Sequence, residues 1–176
     1  MPDGSADSAA ENKGGIGMLK RTISGVILVL IMIGLMYVGG ILLLVGLLAM
    51  SLIGLWEFFH AVSAGGHKPY LYLGMAGTLF YYGLIWSAIE NVWSSAIFLL
   101  YIVVFLMALM IRSVTAYPKR RVEDGALTLM GFLYVPVLFS FLYFLREQED
   151  GIFYVWYVFM ASWGCDTWAY LAGRFF

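Results

Sequence analysis

Charge-free stretches dominate the chain, and short polar strings cut them at intervals that a membrane helix can fill. Between Thr22 and Trp56 no charged residue occurs, and as one helix that run would reach about 50 Å at 1.5 Å per residue, against a hydrocarbon core of about 30 Å. Two spans are therefore predicted, with the break at Gly39 and Gly40, where missing side chains permit a tight reversal. The first runs from about Thr22 to Val38 and the second from about Ile41 to Val62. After the polar turn SAGGHKP, a third charge-free stretch covers Pro69 to Ile89 and ends at Glu90 and Asn91. A fourth covers Val92 to Ile111; the loop RSVTAYPKRRVEDG follows, and Ala126 to Leu145 makes a fifth, closed by REQED. The sixth begins at Ile152.

The predicted fold class is thus all-α, a polytopic transmembrane helical bundle of about six spans. The first seventeen residues are small, polar and glycine-rich, and read as a disordered tail ahead of a helical domain over residues 18–176. A cleaved signal peptide does not fit, because the polar lead is too long and the apolar run that follows continues past a signal core. Composition agrees: 62% of residues are hydrophobic, the mean hydropathy is +0.88, and 12% are charged, where soluble domains carry about 25%. A soluble domain is excluded. The single cysteine, Cys165, excludes an internal disulfide and a cysteine-rich metal site, and reads as a small apolar helix residue.

Alternating six spans from a cytoplasmic N-terminus puts Lys13, Lys20, Arg21, Lys68, Arg112, Lys119, Arg120, Arg121 and Arg174 inside, and Arg146 alone outside. That is the positive-inside bias, which the inverted topology would violate almost throughout. The sixth span then matters most. Its charge-free part, Gly151 to Cys165, would reach only about 22 Å as a helix, so the helix is expected to continue through Asp166. Its carboxylate would lie inside the membrane toward the cytoplasmic side, roughly two turns from Arg174. Phe159, Ser162, Asp166, Tyr170 and Gly173 follow helical spacing and share one face, and the small Gly173 admits a backbone or a ligand.

Two readings of Asp166 stand side by side. It is a helix N-cap or an interfacial carboxylate paired to a neighbouring helix, or it is a functional intramembrane carboxylate able to hold Mg²⁺ against substrate phosphates. Lys119, Arg120 and Arg121, the densest basic cluster, are either a topogenic loop drawn to anionic headgroups or a phosphate-recruiting element. Arg112 has both readings, with snorkelling to the interface besides. Glu57 and His60 have the spacing of a Glu-x-x-His ligand pair, but spans one, three, four and five offer no acidic partner, so an interfacial Glu and His is preferred. The aromatics Trp56, Tyr70, Tyr72, Trp86 and Trp93 lie near span ends, as an interfacial belt would. No phosphate loop, Ser/His/Asp set or H-E-x-x-H string occurs.

At ASWGCDTWAYLAGRFF the chain resembles the phosphatidate cytidylyltransferase family, the CDP-diglyceride synthetases. Their Asp-Thr-x-Ala-Tyr-x-x-Gly-Arg-x-Phe segment is matched by Asp166, Thr167, Ala169, Tyr170, Gly173, Arg174 and Phe176. LKRTISGVILVL is similar to the family's N-terminal run, WEFF at Trp56 to Phe59 to its Trp-Glu-Phe segment, and GFLYVPVLFSFLYFLR to its corresponding helix. The resemblance implies transfer of a cytidylyl group from CTP to phosphatidic acid, giving CDP-diacylglycerol and pyrophosphate. It implies a multi-pass protein of the inner cell membrane with a site facing the cytoplasm. Implied too are Mg²⁺ at Asp166 as metal ligand and catalytic carboxylate, and substrate contacts from Thr167, Tyr170, Arg174, Arg112, Lys119, Arg120 and Arg121. CTP, phosphatidic acid and membrane lipids are the expected partners, no nucleic acid is expected, and a homo-oligomer is left open. The family continues with a Gly-Lys, a Ser-Pro-Lys-Lys-Thr-like string, further helices and a basic and Asp-rich signature, whereas this chain stops at Phe176. The expectation is an incomplete polypeptide, inactive unless another chain complements it. Alternatives are a CTP-dependent polyprenol or phytol kinase, and a small transporter or structural subunit with Asp166 as ion-coupling residue, although no internal repeat supports the latter.

Overall fold

A chain this apolar must satisfy its backbone N–H and C=O groups internally, and helix does so within each segment. The computed structural model describes residues 27, 29–90 and 96–175. It is helical, with no strand among the described residues: α1 (Val29–Val38), α2 (Gly40–Ala64), α3 (Leu71–Glu90), α4 (Ala96–Thr115), α5 (Val122–Phe132), a π-helical turn (Leu133–Val137), α6 (Leu138–Arg146) and α7 (Gly151–Phe175). Each helical stretch falls on a segment that the charge pattern marks. The tail 1–17, Lys13, Lys20, Arg21, the start of the first expected span, Asn91, Val92, Trp93 and Phe176 lie outside the described residues.

Among the described residues, three helices are long and apolar enough to cross a membrane: Gly40–Ala64, Ala96–Thr115, and the continuous Val122–Arg146 formed by α5, the π turn and α6. The chain is a membrane protein. Tyrosines, glycines and tryptophans dilute α3 and α7, which carry less apolar character over a similar length.

The chain divides into two compact units, Met1–Val38 and Gly39–Phe176. The described part of the first is α1, an apolar helix with Leu30, Tyr37 and Val38 exposed. The second begins at the predicted break. Gly39 and Gly40 have φ of 68° and 55°, the left-handed region that glycine enters without strain. A Cβ on Gly39 would also come within 3.3 Å of the Arg146 guanidinium, and the Gly40 N–H donates to Glu147 Oε1 at 3.2 Å.

Within this unit the α5–α6 rod is central: α2 packs along α5, the π turn and α6, α3 and α4 pack on α5, and α7 packs on α6. Lipid tails are as apolar as leucine, so close van der Waals fit and small residues must drive this association. Phe59 of α2 shows how. Its ring is fully buried in a slot between Gly74 of α3 and Gly131 of α5, where added Cβ atoms would stand 2.7 Å and 3.0 Å from it. Beyond Gly131, Phe132 and Phe105 meet with ring centroids 4.4 Å apart.

The rod contains Pro136, which lacks an amide proton and crowds the preceding turn. The widened π turn absorbs the misfit, and polar side chains serve its carbonyls. Tyr82 of α3 donates to the Pro136 carbonyl at 3.3 Å and meets Ser51 Oγ of α2 at 2.8 Å, while Ser140 donates to the Val137 carbonyl at 2.7 Å and meets the Tyr81 hydroxyl at 2.9 Å.

The loop before this rod is shorter than the charge pattern suggests. The fourth span was expected to stop at Ile111 and the fifth to start at Ala126, yet α4 continues to Thr115 and α5 begins at Val122. Arg112 is tolerated in the last turn of α4 because a cation there complements the helix C-terminus. Glu123 and Asp124 occupy the first turn of α5, where acids are favoured.

Candidate functional site

The turn after α2 and the loop after α4 carry most of the described basic residues, and the structure ties them together through one carboxylate. Asp124, 3% exposed, accepts the Lys68 N–H at 2.7 Å on Oδ1 and the Arg121 N–H at 3.1 Å on Oδ2. The second bond is half of a capping box: an acid three residues into a helix reaches back to its N-cap amide. The first bond reaches across to another element. One turn further on, Thr128 donates to the Asp124 carbonyl at 2.7 Å and accepts the Tyr70 N–H at 2.8 Å. His67 Nδ1 lies 3.8 Å from Glu123 and 4.0 Å from Asp124.

Arg120 completes the junction from the loop side. Its Nη1 donates to the carbonyls of Lys68 at 2.6 Å and Pro69 at 3.2 Å, and its guanidinium carbon stands 4.7 Å from the centroid of the Tyr70 ring. Arg112 is brought alongside because α4 and α5 approach closely: a Cβ on Gly125 would collide with the Ser113 hydroxyl. The Arg112 carbonyl lies 3.5 Å from the Tyr70 hydroxyl. Arg112 and Arg120 thereby border one cleft of about 210 Å³ with Pro69, Tyr70, Leu71 and Tyr72.

The other expected basic residues do not join them. Arg121, 79% exposed, turns to Glu123 at 3.9 Å, and Lys119 is exposed. The predicted cluster of Lys119, Arg120 and Arg121 therefore splits into one held arginine, Arg120, and a solvent-facing pair.

The α7 string differs in kind. The helix runs unbroken through Asp166, as expected, but only α6 packs substantially against it among the described residues. Asp166, Thr167, Tyr170 and Arg174 are all exposed. Thr167 returns its hydroxyl to the Trp163 carbonyl at 2.8 Å, and a Cβ on Gly173 would meet open space. Asp166 is well inside the helix, so it is no N-cap, and its carboxylate has no ion pair or hydrogen bond among the described residues. Among the described residues no hydrogen bond or ion pair joins this string to Arg112 or Arg120.

No group of three or more His, Cys, Asp or Glu side chains comes together among the described residues. Glu57 and His60 gain no third ligand among the described residues, and His60 packs on Trp56 with centroids 4.1 Å apart and the rings tilted by 40°. One exposed carboxylate still suits Mg²⁺ as a single ligand, since that ion takes one or two carboxylates and fills its shell with phosphate oxygens and water.

Asp124 is the residue that sequence reasoning missed. With the fifth span started at Ala126, it fell among loop charges. An acid three residues after a residue that can begin a helix was the available signal.

Comparison with known proteins agrees with the string at Asp166. Residues 19–176 match the model of the cytidylyltransferase family. The phosphatidate cytidylyltransferase of Staphylococcus haemolyticus is 29% identical over 159 residues, covering 89% of this chain and 58% of that protein. Those of Staphylococcus aureus and Staphylococcus epidermidis are 26% and 27% identical over 162 residues, with the same coverage. The chain thus spans about 58% of the length of these curated relatives. No solved structure matches. With the family model matching from residue 19 to residue 176, the chain belongs to the cytidylyltransferase family.

Proposed function

We propose that this chain carries part of a membrane nucleotidyltransferase that makes CDP-diacylglycerol and pyrophosphate from CTP and phosphatidic acid. In that reaction a phosphate oxygen of phosphatidate attacks the α-phosphorus of CTP; a new P–O bond forms, and the bond from that phosphorus to the pyrophosphate oxygen breaks. Such transfer needs alignment and charge neutralisation more than covalent catalysis. An exposed, unengaged carboxylate beside a threonine, a tyrosine and an arginine is suited to that task. Asp166 serves as one ligand for Mg²⁺, which when bound would neutralise phosphate charge. Arg174 compensates further phosphate charge, with Thr167 and Tyr170 as adjacent contacts. Arg112 and Arg120 hold phosphate at the loop junction, while Lys119 and Arg121 add attraction to an anionic membrane surface. The proposed topology has six spans in the inner cell membrane, the N-terminus and basic loops being cytoplasmic.

The observation carrying this reading is the family match that includes Asp166 to Arg174. The test is CDP-diacylglycerol formation by the protein expressed from its complete gene, purified in detergent and given CTP, phosphatidate and Mg²⁺. Product should depend on Mg²⁺ and fall at least about a hundredfold in Asp166→Asn, as expected when a charge-stabilising group is lost. Undiminished activity in that variant removes Asp166 from the site, and no product with the unaltered protein removes the reaction.

A further inference from the structure

The cleft at the loop junction has features that neither the family match nor the Asp166 string requires. The two charged residues that line it, Arg112 from the end of α4 and Arg120 from the loop, are both basic, and no acidic residue lines it among the described residues. Arg120 is held before any ligand arrives: one nitrogen is fixed by two backbone carbonyls and the guanidinium lies over Tyr70. A guanidinium has five N–H donors in a rigid fork, so donors remain for a phosphate, and holding the fork in advance reduces the entropy lost on binding.

The cleft also lies at a particular level. Pro69 and Tyr70 belong to the polar turn, Leu71 and Tyr72 begin α3, and Arg112 ends the apolar run of α4. Tyr72 is 88% exposed, and a tyrosine at the end of an apolar helix marks the headgroup layer. Basic pockets between membrane helices at that depth take phospholipid headgroups. The volume of about 210 Å³ equals that of several waters at about 30 Å³ each, room for a phosphate group with part of its hydration.

We propose that the Arg112–Arg120 cleft binds the phosphate of an anionic lipid headgroup, apart from the Asp166 string. This deepens the proposed function by naming a holding site for its lipid class, and rests on that function only for the assignment of Arg112 and Arg120 to phosphate.

The test is a binding measurement without turnover. The protein in detergent is titrated with short-chain phosphatidate, and thermal unfolding reports the apparent Kd. Phosphatidate should raise the unfolding midpoint, whereas phosphatidylcholine of equal chain length should not. Arg112→Gln, whose exposed side chain leaves the packing alone, should weaken phosphatidate about tenfold, the loss of one charge-assisted hydrogen-bonding group. Arg121→Gln, outside the cleft, should stay within about twofold, because a surface charge contributes little. Equal losses in the two variants would show general surface attraction and overturn the site. Stabilisation by inorganic phosphate or CTP through Arg112, without any by phosphatidate, would make it a soluble-phosphate site and overturn the lipid assignment. The titration contains neither CTP nor Mg²⁺ and reads no turnover, so failure of the catalytic proposal leaves this result standing.

Discussion

Asp124 and Asp166 are both aspartates on long, largely apolar helices, and the protein treats them in opposite ways. Asp124 is buried and accepts two backbone N–H groups from separate elements. Asp166 is exposed, and among the described residues no side chain or amide answers it. A carboxylate whose hydrogen-bonding capacity is already filled by its own fold has little left for a substrate. One left open on a rigid helix has nearly all of it. Between them the two residues separate a carboxylate that holds the chain together from one proposed to meet a ligand.

Predictions follow the same contrast. The largest effect should come from Asp124→Ala, which frees the Lys68 and Arg121 amides and unties the turn from α5; we expect a loss of about 2–4 kcal/mol, since hydrogen bonds to a charged acceptor are worth about 1.5–3 kcal/mol each and are not additive. Chemical unfolding in detergent micelles would measure it, and an unchanged midpoint would mean that Asp124 ties nothing. Next comes Gly131→Val, which pushes a side chain into the Phe58 and Phe59 rings. It should cost about 1–3 kcal/mol, the range for overpacking, in the same assay. Smallest should be Asp166→Asn, which alters an exposed site and should stay within about 0.5 kcal/mol in stability. A large destabilisation there would erase the contrast, giving Asp166 a structural duty after all.

Much of the fold is legible because charge is so costly in lipid that its absence marks each segment. The break at Gly39 and Gly40 and the continuation of α7 through Asp166 both follow from length set against membrane thickness. The loop was misread for the same reason. Charge-free runs end where charge begins, but helices do not, and Arg112 and Asp124 sit inside helix ends that welcome them. The π turn was legible only as a proline in an apolar run; that Tyr82 and Ser51 would serve it depends on contacts between distant segments. The basic cluster was visible as composition, while its division into a held arginine and a solvent-facing one is decided by where the Lys68 and Pro69 carbonyls lie.

The bond from Gly40 to Glu147 has a temporal consequence. It joins residues 107 positions apart, whereas Lys68 and Asp124 are separated by 56. As the ribosome delivers the chain from its N-terminus, the Asp124 tie can close once the beginning of α5 has emerged. The Glu147 tie must wait until all of α6 has followed. Closing the longer loop adds about 0.6 kcal/mol of entropy per doubling of length, so order of synthesis and loop length favour the same sequence of events. The basic junction is expected to assemble early, with the contact between Gly40 and Glu147 sealing the opposite end of the rod as α7 is being made.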